Sequence, residues 1–293
     1  MPTYRYRVVD VFTKNALEGN PLAVFPSGSG IEDRTMQKIA KELNLSETVF
    51  ILPATKREAA AKLRIFTPSY EMAFAGHPTV GASFVILDEG VVAHGTKRFL
   101  LEENVGLVPI RVEESGGDGA RPRIWLTTPR IEFEQVVDRT LCAKALGLDA
   151  DDLLDSRPQV VSAGNPTIFI PLKTKEAVDR AWLDRSGSLE LRGSDPRPLC
   201  AFVFTPTEEG AYSRMFAPEH GVVEDPATGS ATGPLAAYMA KNGLTSSKAF
   251  ISEQGTKMGR RSLLHVEIRG EGSGQKIDVG GYVTPLVEAT MTL

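Results

Sequence analysis

The segment Asn44-Leu45-Ser46-Glu47-Thr48 places a single carboxylate between a helix-like stretch and the apolar run Val49-Phe50-Ile51. A carboxylate partly withdrawn from water at a strand start keeps its proton to higher pH and can serve as general acid or base near neutrality. The competing reading of Glu47 is an exposed strand-edge residue or a ligand to a local turn. Two small-residue loops, Ala75-Gly76-His77-Pro78-Thr79 and Asp225-Pro226-Ala227-Thr228-Gly229-Ser230, each open a helix-like segment. A helix start presents backbone N–H groups and the positive end of the dipole, which suits a small anion such as a carboxylate. Gly76 and Gly229 let backbone approach a ligand closely. His77 at such a mouth reads as an orienter or proton relay. Plain structure competes here too: Pro78 suits a first helical turn with His77 merely preceding it, and Asp225 before Pro226 suits an Asx-turn or helix cap.

The elements that must position these residues are legible in outline. Runs rich in β-branched and aromatic residues predict strands over Leu22–Phe25, Thr48–Leu52, Ala61–Phe66, Val108–Val112, Arg123–Leu126, Thr167–Leu172, Leu199–Phe204 and Leu263–Ile268. Helical spacing predicts a helix over Asp33–Leu43, with Asp33 as its cap and Met36, Ile39, Ala40 and Leu43 on one face. Two further helices are expected over Thr79–Leu87 and Ala231–Lys241, stopped near Gly90 and Gly243 in left-handed caps. Both are apolar nearly all round, the pattern of a helix enclosed by strands.

An internal repeat organises the chain. Gly19-Asn20-Pro21-Leu22-Ala23-Val24-Phe25 is echoed by Gly164-Asn165-Pro166-Thr167-Ile168-Phe169-Ile170. Arg64-Ile65-Phe66-Thr67-Pro68 and the loop at Gly76 are echoed, in the same order, by Arg214-Met215-Phe216-Ala217-Pro218 and the loop at Gly229. Two related lobes are therefore expected. Residues 1–127 form the first, with the C-terminal stretch 281–293 returning to it, and residues 128–280 form the second. The polar stretch Glu113–Pro122 reads as a hairpin tip just before the boundary.

At 293 residues, two domains are the natural expectation; 42% hydrophobic and 24% charged residues match an ordinary globular protein. A net charge of −4 with scattered basic residues argues against nucleic acid as partner. Two cysteines, Cys142 and Cys200, argue against a disulfide scaffold and make the cytoplasm the expected compartment. No apolar run reaches membrane-spanning length, and no signal-peptide pattern opens the chain. No His/Cys/Asp/Glu cluster has metal-ligand spacing, and no glycine-rich phosphate loop calls for a nucleotide cofactor.

Several segments together resemble the phenazine-biosynthesis-like (PhzF-type) isomerase family: Val9-Asp10-Val11-Phe12-Thr13 with Gly19-Asn20-Pro21, Leu45-Ser46-Glu47-Thr48, Phe66-Thr67-Pro68, Glu71 through Thr79, Glu224 through Ala231, and Glu253-Gln254-Gly255 with Met258-Gly259-Arg260. The sequence departs from the pattern at Arg261, where relatives often carry proline. The resemblance implies an α+β, diaminopimelate-epimerase-like fold: two similar lobes, each a barrel-like, mostly antiparallel sheet around a central helix, related by a pseudo-two-fold. It implies a cofactor-free homodimer acting on a small carboxylic acid. Glu47, His77 and Asp225 would be catalytic, and Asn20, Gly76, Gly229 and Ser230 would bind substrate.

Epimerases and racemases of that fold usually place a cysteine at each helix start, whereas these loops carry Ala75 and Ala227 or Thr228. Two-thiol epimerisation is disfavoured on that ground. A non-thiol racemase, or a binding or interaction protein that has kept the fold without turnover, stay as alternatives.

Overall fold

A computed structural model of the chain describes residues 1–116, 121–270 and 275–293. The chain folds as two compact units, Met1–Thr127 with Val279–Leu293, and Thr128–Asp278.

The first unit holds strands β1 (Thr3–Val11), β2 (Asn20–Phe25), β3 (Glu47–Leu52), β4 (Ala61–Phe66), β5 (Glu71–Met72), β6 (Arg98–Glu103), β7 (Gly106–Glu113) and β8 (Arg123–Thr127), with helices α1 (Asp33–Leu43) and α2 (Gly76–Asp88). The second holds β9 (Glu132–Val136), β10 (Gln159–Ser162), β11 (Thr167–Pro171), β12 (Cys200–Thr207), β13 (Gly210–Ala217), β14 (Val222–Asp225), β15 (Ala249–Gln254) and β16 (Ser262–Arg269). Its helices are α3 (Arg139–Ala145), α4 (Lys175–Arg180), α5 (Arg185–Arg192) and α6 (Gly229–Lys241). Strand β17 (Lys276–Gly281) straddles the division, and β18 (Val283–Thr292) pairs antiparallel with β1.

Strand senses follow one series in both units. In the first, β1–β2 is antiparallel, β2–β3 parallel, β3–β4 antiparallel, β4–β6 parallel and β6–β7 antiparallel. In the second, β10–β11, β11–β12, β12–β13, β13–β15 and β15–β16 repeat that series. The echoed Arg-x-Phe segments also form one construction twice. Arg64 on β4 grips Glu71 through two bonds, Nε–Oε1 at 2.9 Å and Nη2–Oε2 at 2.7 Å, and lies over the Phe66 ring. Arg214 on β13 grips Glu224 through two bonds of 2.8 Å and lies over Phe216.

Period-two alternation explains the continuous apolar strands of the second unit. Ile168, Ile170, Ala201 and Val203 face a core built with α3, α4 and α5. Their neighbours Phe169, Phe202 and Phe204 face the opposite core, against Leu235, Tyr238 and Met239 of α6. In the first unit, Met36, Ile39 and Ala40 of α1 cover Phe25, Phe50 and Phe66. Burying each such large side chain stabilises the fold by roughly 1.5–3 kcal/mol. Helix α2 is buried from Gly76 to Ile86 and packs against β1, β2, β3, β4, β8 and β18. Gly81 permits that closeness: a Cβ there would come within 2.6 Å of Leu22 Cδ2 and 2.8 Å of Val11 Cγ2.

Three sequence expectations change. Glu32, not Asp33, occupies the N-cap position of α1, without a side-chain capping bond; Asp33 lies in the first turn and its carboxylate pairs with Arg64. Helix α2 starts at Gly76, three residues before the expected Thr79, so His77 and Pro78 belong to its first turn. Helices α3, α4 and α5 go beyond what the sequence pattern predicts; each is short, and Asp138, Thr174 and Asp184 cap them by accepting backbone N–H bonds. Of the expected hairpin tip, residues 117–120 lie outside the described residues; its flanks pair with Glu113 opposite Arg123.

Candidate active site

In the first unit, Asn20, Glu47, Gly76 and His77 lie close in space. Asn20 opens β2, and Glu47 opens the parallel neighbour β3, opposite Leu22. His77 is the second residue of α2, behind an N-cap, Ala75, in extended conformation. The Asn20 amide nitrogen lies 3.2 Å from His77 Nδ1, and His77 Nε2 lies 3.4 Å from Glu47 Oε2. Asn20 and His77 are buried, whereas the Glu47 side chain keeps partial access to solvent.

The chemistry of these atoms fixes the proton on the ring. An amide NH2 only donates, so Nδ1 must accept and the hydrogen of the neutral imidazole sits on Nε2, facing Glu47. Burial holds the His77 pKa down to about 3, so the ring is neutral at ordinary pH. The contact to Glu47 is therefore one between a neutral N–H and a carboxyl group rather than an ion pair. At 3.4 Å the two atoms are in contact without hydrogen-bond geometry, and the imidazole adds no charge beside the carboxyl group.

In the second unit the named residues gather round the start of α6. Thr228 is its N-cap, Gly229 its first residue, and Ser230, half-buried, its second. Thr228 donates its hydroxyl to Asp225 Oδ2 at 2.5 Å, which holds the Asp225 carboxylate at this helix start. The Gln254 side chain ties the loop: its Oε1 accepts from Thr228 N at 3.1 Å, and its Nε2 donates to the Asp225 carbonyl at 2.7 Å and to Thr228 Oγ1 at 3.0 Å. In the sequence, Gln254 is visible only as part of a family motif. Its role becomes apparent once β15 is seen to end beside the loop.

Arg261 forms a 2.9 Å ion pair with Glu253 beside this loop. Cys142, in α3, and Cys200, at the head of β12, are buried and belong to neither helix start. Among the described residues no group of three or more His, Cys, Asp or Glu side chains is arranged to hold a metal ion. Among them, too, no helix is long and apolar enough to cross a membrane.

A family model described as phenazine biosynthesis-like protein matches residues 9–289. An isomerase of Mesorhizobium japonicum is 38% identical over 304 residues, covering 99% of each chain. The trans-2,3-dihydro-3-hydroxyanthranilate isomerase of Pseudomonas aeruginosa is 33% identical over 281 residues, covering 94% of this chain and 93% of its own. The crystal structure of a PhzF-family phenazine biosynthesis protein from Bacillus anthracis superposes with a TM-score of 0.89 at 24% identity, over the whole of both chains.

Proposed function

The chain belongs to the phenazine biosynthesis-like protein family and is an enzyme of the isomerase class; on that premise we propose that it moves a proton between carbons of a small carboxylic acid, with Glu47 as the general acid/base and no cofactor. The observation that carries this reading is the Asn20–His77–Glu47 series, which sets a buried neutral imidazole beside one partly exposed carboxyl group. A single carboxylate can take a proton from one carbon and, once protonated, return it to another on the same face of the substrate. His77 would hold that group in line throughout, and Asn20 would hold His77.

Gly76 at the start of α2 and, in the other unit, Gly229 and Ser230 at the start of α6 would each offer backbone N–H groups to a substrate anion. Asp225, fixed by Thr228, would meet a polar substituent. The substrate class follows from the Pseudomonas aeruginosa relative, whose name specifies trans-2,3-dihydro-3-hydroxyanthranilate. The same reading takes the two units as related lobes, each a barrel-like sheet about α2 or α6, and the protein as a cytoplasmic homodimer. The common series of strand senses and the doubled Arg–Glu–Phe construction support the relation of the lobes.

A racemase would need a base on each face of the stereocentre, and neither loop carries a thiol. The test is incubation with trans-2,3-dihydro-3-hydroxyanthranilate in heavy water. Deuterium gained together with a shifted double bond supports the proposal. A scrambled stereocentre without that shift would establish epimerisation instead. Thermal stabilisation by the acid without any exchange would mark a binding protein.

A further inference from the structure

Glu103 ends β6 inside the first unit, 3% exposed, and the reaction above makes no use of it. Its Oε1 lies 2.6 Å from Thr79 Oγ1, and that hydroxyl also lies 2.7 Å from the Ala75 carbonyl oxygen. A threonine hydroxyl has one hydrogen, and a carbonyl oxygen can only accept. If Thr79 donates to Ala75, the contact to Glu103 must take its hydrogen from the carboxyl group. An ionised Glu103 would leave one of these two contacts as acceptor against acceptor. Among the described residues its Oε2 has no hydrogen-bond partner, so ionisation would also strand charge in the core.

The second unit has an amide at the equivalent position, and it ties the same helix start through the N-cap residue Thr228 rather than through Thr232, the counterpart of Thr79. Strand β6 runs parallel to β4 with Ala61 opposite Leu101, and β15 runs parallel to β13 with Ala211 opposite Ser252. Since Arg64 and Arg214 are equivalent in the repeat, that register sets Gln254 at the position of Glu103. Thr232 donates to the Thr228 carbonyl at 3.0 Å as Thr79 donates to that of Ala75. Gln254 both donates and accepts around this helix start while staying neutral. A protonated carboxyl group offers the same donor–acceptor pair; a carboxylate does not.

We infer that Glu103 is a neutral carboxylic acid in the folded protein, that it donates its hydrogen to Thr79 Oγ1, and that it is a positioning residue for the start of α2, which carries Gly76 and His77. Burial pushes the Glu103 carboxyl up to about 8, with Thr79 opposing. The charged groups on neighbouring elements are engaged elsewhere: Lys62 with Glu102, Arg64 with Glu71 and Asp33, Arg111 with Glu113, and Asp88 with Arg7. His77, on α2, is neutral. The protonation state stands on this geometry alone; only its service to catalysis rests on the proposed function.

The test is carboxyl-carbon NMR of the glutamate-labelled protein, paired with Tm measured across pH for wild type and E103Q. One resonance, absent from E103Q, titrates near pH 8, and the His77 imidazole signals shift over the same range in wild type but not in E103Q. Between the unfolded value near 4.5 and the folded value near 8, only the folded state keeps the Glu103 proton, so wild-type stability falls as pH rises. The Tm advantage of E103Q therefore widens from about pH 5 to about pH 8 and then levels. A Glu103 resonance in the ordinary carboxylate range, parallel Tm curves, His77 signals indifferent near pH 8, or an E103Q chain that does not fold would each overturn the inference.

Discussion

Replacing His77 by Gln tests the burial of the imidazole through the acid limb of the stability curve. In the folded protein burial holds the His77 pKa down to about 3, against 6.5 for a free side chain. Between those values the unfolded chain binds a proton that the folded chain refuses. Stability from this source is therefore complete above about pH 6.5 and is lost as pH falls toward 3, at up to ~1.4 kcal/mol per pH unit. Going from about pH 7 to about pH 4 should cost wild type roughly 3 kcal/mol that His77→Gln, which cannot titrate, does not lose. The assay is urea unfolding of both proteins at several pH values. The variant starts less stable at neutral pH because it forfeits the contacts to Asn20 and Glu47, and the gap closes or reverses on acidification. Curves that stay parallel, or imidazole NMR signals titrating between about pH 6 and 7, would refute a buried neutral His77.

Two other outcomes follow from the packing. Arg214→Met should destabilise the second unit by about 3 kcal/mol, since it leaves the largely shielded Glu224 carboxylate without its cation and three carbonyls, of Val178, Asp179 and Ala181, without their donor. Arg64→Met, at the equivalent but more exposed pair, should cost less, and thermal unfolding of the two variants ranks them. Burial raises the Cys142 thiol to about 12, so it should resist a disulfide reagent at about pH 8 in the native protein and react once urea unfolds the chain, as colorimetric thiol titration would show.

Legibility from sequence follows how local each cause is. The strand over Ala61–Phe66 and the helix over Asp33–Leu43 have the bounds their sequence predicts, because alternation and helical spacing are local patterns. Helix α2 reads three residues short in the sequence, because Gly76-His77-Pro78 carries no helical propensity of its own; the enclosing strands and the Thr79–Ala75 bond hold that first turn. Helices α3 to α5 span two turns or so and bury only a few residues each, too little for a periodic signal. At the site, Glu47 and His77 stand out by motif, but the bond between His77 and Asn20 does not, since it joins residues 57 apart in sequence. Glu103 is invisible for a different reason. Glu102 and Glu103 are adjacent on a strand and so face opposite sides, and only the structure tells which one turns toward α2. Glu102 accepts from Thr55 and Lys56 and is held well below the usual carboxylate range, chiefly by the Thr55 hydroxyl, while its neighbour is pushed up by burial.

The central claim is that Glu47 carries the proton. Wild type and Glu47→Gln, first shown by circular dichroism and Tm to fold alike, are each incubated with trans-2,3-dihydro-3-hydroxyanthranilate in heavy water, and deuterium entering the carbon skeleton is followed by mass spectrometry. Loss of the acid/base should slow exchange by about 10²-fold or more, while binding of the carboxylate persists. Exchange at the wild-type rate in Glu47→Gln would contradict the account, because the proton would then be moving through some other group.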